Sequence, residues 1–169
     1  MIYRAIIIFA FASLLSCSVN KKPEQKYLRW VGDIEHDSSV DGNDFKLCNT
    51  ENDVRQYFNM YKGLQIEGEK KMILKHFIEN YQPVKTKESG WIRVRFIVNC
   101  KGETGRFRMI ESDENYQERT FDSKISKQIF QLTKSLQGWK PQKDDGKSVD
   151  YYQYLVFKIS NGNIEKIMP

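Results

Sequence analysis

The sequence predicts an α+β fold: a small antiparallel sheet of three to four strands, two helices packed on one of its faces, and an N-terminal extension with one helix of its own. Three patterns carry that expectation. Apolar residues alternate at Ile92, Val94, Phe96 and Val98, and again at Phe107 and Met109 beyond a glycine-containing turn, which is the period of a half-buried hairpin. Two other segments repeat every three or four residues: Ile73, Phe77 and Tyr81 beside Leu74 and Ile78, then Phe121, Ile125, Ile129, Leu132 and Leu136. A third alternation, Leu155, Phe157 and Ile159, ends at Asn161-Gly162, a dipeptide that favours a two-residue hairpin turn.

The chain opens with a segment outside that fold. MIYRAIIIFAFASLLSC places Arg4 before an apolar run from Ala5 to Leu15 that is short for a bilayer span, so residues 1–16 read as an export signal. Leu14-Leu15-Ser16-Cys17 resembles the lipobox of bacterial lipoproteins. That resemblance implies acylation at Cys17 and a lasting membrane anchor, since each buried methylene contributes about 0.8 kcal/mol. Ser18 follows in place of Asp, which by the same resemblance implies the outer membrane, and no acidic run follows, which favours facing the periplasm. Losing Arg4 with the signal leaves 26 of the 27 basic residues against 22 acidic ones, a net charge of +4 that gives no reason to expect nucleic acid.

Residues 17–26 are polar and aperiodic, a short tether. Residues 27–66 form the extension: a brief strand over Tyr27 to Ile34, an acidic loop, and a helix capped by Thr50 that runs to Gly63 with Val54, Tyr57, Phe58 and Tyr61 as its apolar stripe. Cys48 and Cys100, in an oxidising compartment, are expected to form a disulfide, with two buried thiols as the alternative.

Residues 67–169 make the main domain. Its first helix spans 68 to 82 and stops at Pro83. The hairpin opens at Gly90 and turns at Gly102 and Gly105. The next helix starts at the N-cap Asp122 and ends before Gly138 and Pro141. In the strand over Val149 to Ile159, Tyr152, Tyr154 and Lys158 face away from Leu155, Phe157 and Ile159, and NIEKIM is a last short strand.

Hairpin, helix, Trp-x-Pro and strand, in that order, resemble the TonB C-terminal domain. The residues that carry the likeness are Gly90 followed by Ile92, Val94, Phe96 and Val98, then Gly102, Phe121-Asp122, and Trp139-Lys140-Pro141. It covers about residues 68 to 160 and implies capture of an extended partner peptide as an added strand. The lipobox, the short tether and the Asn-Gly hairpin depart from that family's plan and turn the expectation from energy transduction to binding.

On the outer sheet face the alternation gathers Trp91, Arg93, Arg95, Arg106, Arg108, Tyr152 and Tyr154. Like charges opposite one another cost up to about 1 kcal/mol, so this face needs a compensating partner. It is either an external acidic segment or polymer, or the chain's own acidic stretch with Asp33, Glu35, Asp37, Asp41 and Asp44. No carboxylate pair, nucleophile dyad, metal spacing or phosphate loop is present, so the sequence offers no catalytic residue, metal or cofactor. DSSVDG lacks a calcium loop's twelfth ligand, because Cys48 stands there. The function expected is an envelope lipoprotein that is not an enzyme and binds a periplasmic or outer-membrane protein in envelope transport. The alternative is a structural lipoprotein that binds peptidoglycan or another anionic polymer.

Overall fold

Alternation in residues 90 to 112 produces the expected hairpin: β2 (Gly90–Val98) pairs antiparallel with β3 (Thr104–Ser112), Trp91 opposite Ser112 and Arg95 opposite Arg108. The computed structural model describes residues 32–56 and 63–168. Cys17, the signal, the tether, the strand residues before Gly32 and residues 57–62 of the expected first helix lie outside them. The remaining elements are β1 (Arg55–Gln56), α1 (Glu69–Asn80), α2 (Ser123–Lys134), β4 (Gln142–Asp144), β5 (Lys147–Val149), β6 (Tyr151–Ser160) and β7 (Asn163–Met168).

The main sheet has five strands in the order β1-β6-β2-β3, with β7 also paired to β6. β4 and β5 form a separate two-stranded hairpin. The fold is thus mixed α+β, with one strand more than expected and with β1 running parallel to β6. Asn161 and Gly162 both have positive φ, 49° and 73°, which turns β6 directly into β7.

Both helices lie on the inner face. Ile73 and Phe77 of α1 and Ile125 and Ile129 of α2 are buried against Ile92, Val94, Phe96 and Val98 of β2 and Tyr151, Leu155, Phe157 and Ile159 of β6. Asp122 caps α2 as expected, its carboxylate accepting the Lys124 N–H at 2.8 Å. Ile78, expected in the stripe of α1, is 79% exposed. Trp139 packs edge-on against Phe96 at 5.1 Å and bridges to Ile66, which fastens the strand-entry segment beneath the hairpin.

Three expectations do not hold. Residues 51–56 are not helical: Glu51–Asp53 is a single 3-10 turn, Val54 is extended, and Arg55–Gln56 joins the sheet edge. Val54 is drawn into a second core with Ile34, Ile97 and Tyr152, flanked by Phe45 and Leu47, so packing on the outer sheet face overrides the local helical pattern. Residues 32–34 carry no strand either. Gly105 lies within β3 instead of at the turn, and a Cβ there would meet the Phe45 ring at 2.1 Å. The sheet is therefore covered on both faces along part of its length.

Candidate partner-binding site

On the outer face most of the arginines are engaged by groups of the same chain. Arg95 and Arg108 stand opposite each other, as the alternation implied, and both are satisfied from within the chain. Arg95, 6% exposed, donates to the Gly32 carbonyl. Arg108 forks onto Asp41 at 2.7 and 2.8 Å. Arg106 sits at a bulge with φ of 52° and forks onto Glu51 at 2.5 and 2.6 Å. Hydrogen bonding from Arg108 holds the Asp41 carboxyl down at about 2, against some desolvation. Hydrogen bonding from Arg106 lowers that of Glu51 in the same way.

Of the two readings of this face, the intramolecular cover is the one the geometry displays. Asp41 belonged to the expected acidic stretch, whereas Glu51 was hidden in the segment read as a helix. At the other end of the face Arg93 lies over the Tyr154 ring at 3.8 Å, and Trp91 stacks on Tyr116 at 5.7 Å. Tyr152 is buried in the outer core. The seven residues do line one side of the sheet, but residues 32–56 divide them into a covered half and a half around Trp91 and Tyr154.

A latch holds the cover down. Cys48 and Cys100 form the expected disulfide. Beside it the buried Asp150 carboxylate accepts the backbone N–H groups of Cys48, Asn49 and Cys100 at 2.8 to 3.2 Å, and the Asn49 side-chain amide at 3.3 Å. Asp150 interrupts what reads in sequence as one strand, separating β5 from β6. Cys48, Cys100 and Asp150 cluster within 4.8 Å, but with both sulfurs bonded to each other the trio has no thiolate to offer a metal.

The site that sequence reasoning missed lies along the edge of β3. A groove of about 1080 Å³ runs there, floored by Phe107 and Met109, walled on one side by Val40 to Phe45 and on the other by α2 through Ser126, Lys127, Phe130 and Lys134. The ladder tells which backbone groups face it. Arg119 N–H donates to Glu111 O and Asp113 N–H to Gln117 O, so from the bulge onward Met109, Glu111 and Asp113 turn their backbone away from β2. The Phe107 carbonyl is taken by Arg108 Nη1 at 3.0 Å. Both backbone groups of Met109 and the Glu111 N–H then face the groove without a protein partner among the described residues.

The opposite side of the sheet differs. There β6 is flanked by β1 at Tyr151 and Tyr152 and by β7 from Val156 to Ser160. A signal for the β3 groove did exist in the sequence: Ser123, Ser126, Lys127, Phe130 and Lys134 recur at three and four residues on α2, a second stripe beside its buried one.

Comparison with known proteins gives no match: no family model fits the chain, and neither a curated protein nor a solved structure is similar to it.

Proposed function

We propose that this chain is a lipid-anchored envelope lipoprotein that binds a protein partner, in envelope transport, by receiving an extended segment of that partner along β3. The observation that supports it is the β3 edge itself, with backbone donors and an acceptor turned into an apolar-floored groove. A TonB-like relationship stays part of the proposal, with one change: β7 and β1 occupy the edge of β6, so the added strand is assigned to β3. Anchoring through Cys17 rests on the lipobox-like Leu14 to Cys17.

Binding of peptidoglycan or another anionic polymer has less support, because Arg95, Arg106 and Arg108 are engaged by the chain's own groups. A partner contact at Trp91 and Tyr154 remains the second reading of the outer face.

The test is photocrosslinking in cells from a reactive residue at the exposed position Gln131, on the groove wall, with a parallel probe at Tyr154. The expected result is one extended segment of one envelope protein captured at Gln131. Capture of glycan alone, or capture only from Tyr154, overturns the assignment. Loss of fatty-acid labelling in Cys17→Ser checks the anchor separately.

A further inference from the structure

We infer that the segment received at β3 is acidic on the side that faces α2: an extended stretch of a partner protein with carboxylates at alternate positions on that side. This deepens the reading above and rests on it. α2 runs back along β3, since the Phe121 N–H donates to Glu111 at one end and Lys134 Nζ lies 5.8 Å from the Phe107 ring at the other. Lys127 and Lys134 therefore stand along one wall, about 10.5 Å apart on the helix. Side chains two and four residues apart on an extended segment lie about 7 and 13 Å apart, a span that flexible lysine stems bracket.

These two cations are available. Arg108 and Arg119 in the same groove are paired with Asp41 and Glu88, whereas neither Lys127 nor Lys134 has an acidic partner among the described residues. Both lysines are exposed, and Lys134 rests over Phe130 at 5.7 Å, beside the apolar floor. Ser126 lines the same wall, 7% exposed, and its hydroxyl has no hydrogen-bond partner among the described residues. On the facing wall Arg108 offsets the charge of Asp41, and the exposed Asp44 repels a carboxylate and so fixes which way the alternation points.

A second copy of this chain is a poorer occupant. Its β3 would offer Phe107, Met109 and Glu111 to α2, and the Glu111 carboxylate already accepts from Phe121 at 2.8 Å.

The experiment uses the full chain, isotope-labelled, titrated with two capped heptapeptides, TETLTET and TKTLTKT. The glutamate peptide is expected to shift the Met109 and Glu111 amides and to bind about threefold to tenfold tighter at low salt, the range that two exposed ion pairs supply. Lys127→Glu with Lys134→Glu, both at exposed positions, is expected to invert the preference. Equal binding, or tighter binding of the lysine peptide, at Met109 overturns the charge inference and leaves strand addition standing. No shift in β3 with either peptide overturns both. Slow exchange of the Met109 amide in the peptide-free protein also overturns it, since a segment of the same chain then occupies the edge.

Discussion

Replacing Cys48 and Cys100 together by serine cuts the covalent tie between the outer cover and the hairpin turn. The two residues are 52 apart in sequence, and closing a loop of that length restricts the unfolded chain by about 4 kcal/mol in the chain-entropy account. For a chain of 169 residues each kcal/mol moves the melting midpoint by about 2–4 °C, so a drop of about 8–16 °C is expected. The folded state should change little. Asp150 still accepts from the backbone at 48, 49 and 100, and the forks of Arg106 on Glu51 and Arg108 on Asp41 do not depend on sulfur. Circular dichroism reads both halves of the expectation, the far-ultraviolet melt for the midpoint and the near-ultraviolet spectrum for Tyr152 in the outer core. A drop below about 2 °C would refute the reasoning on the unfolded state. Loss of the aromatic fine structure well below the transition, beyond the loss of the disulfide's own broad band, would refute the claim that Asp150 suffices to seat the cover.

Asp150→Ala leaves three backbone N–H groups at the latch without their acceptor and is expected to cost about 3 kcal/mol or more by urea titration, with Asp150→Asn milder. Asp41 and Glu51 have carboxyls lowered in the folded state, so their contribution is complete above the unfolded carboxylate range, near pH ~4, and is lost as pH falls. Asp41 sets the lower end of that window at about 2. Urea midpoints across this range should fall in the natural protein and flatten in Arg108→Ala. Gly105→Ala drives a methyl into the Phe45 ring, 2.1 Å from the ideal Cβ, and is expected to destabilise by about 1–3 kcal/mol. The increment should shrink in a Phe45→Ala background, and its persistence there would point to backbone strain.

The main domain was legible because its elements obey single-period rules. β2, β6, α1 and α2 each present an apolar stripe to the main core, and Asp122 and Asn161-Gly162 mark the ends of α2 and β6 by local chemistry. The cover was legible in its charges, as an acidic stretch that could face the arginines, but not in its packing. Ile34, Phe45, Leu47 and Val54 are too scattered to show a shared period, and they pack, fully or partly buried, against Ile97 and Tyr152 far away in sequence. Cys48 with Cys100, and the acidic stretch that includes Asp41 set against the arginines, were the links in sequence between that segment and the hairpin. Alternation placed the arginines on one face correctly but carried no information on their partners, since Asp41 and Glu51 reach Arg108 and Arg106 across 67 and 55 residues. The groove was missed for a similar reason. An edge strand differs from a central one only in what fails to pair with it, which the residues of β3 do not record.

Met109→Pro tests the central claim most directly. Proline removes the one backbone donor that Met109 turns into the groove, at a position where an edge strand can accept it because that N–H makes no bond to β2. With the fold verified by its melting curve, crosslinking from Gln131 in cells is expected to lose the partner segment whose capture by the natural protein is proposed above. Undiminished capture by the folded Met109→Pro protein would contradict strand addition at β3.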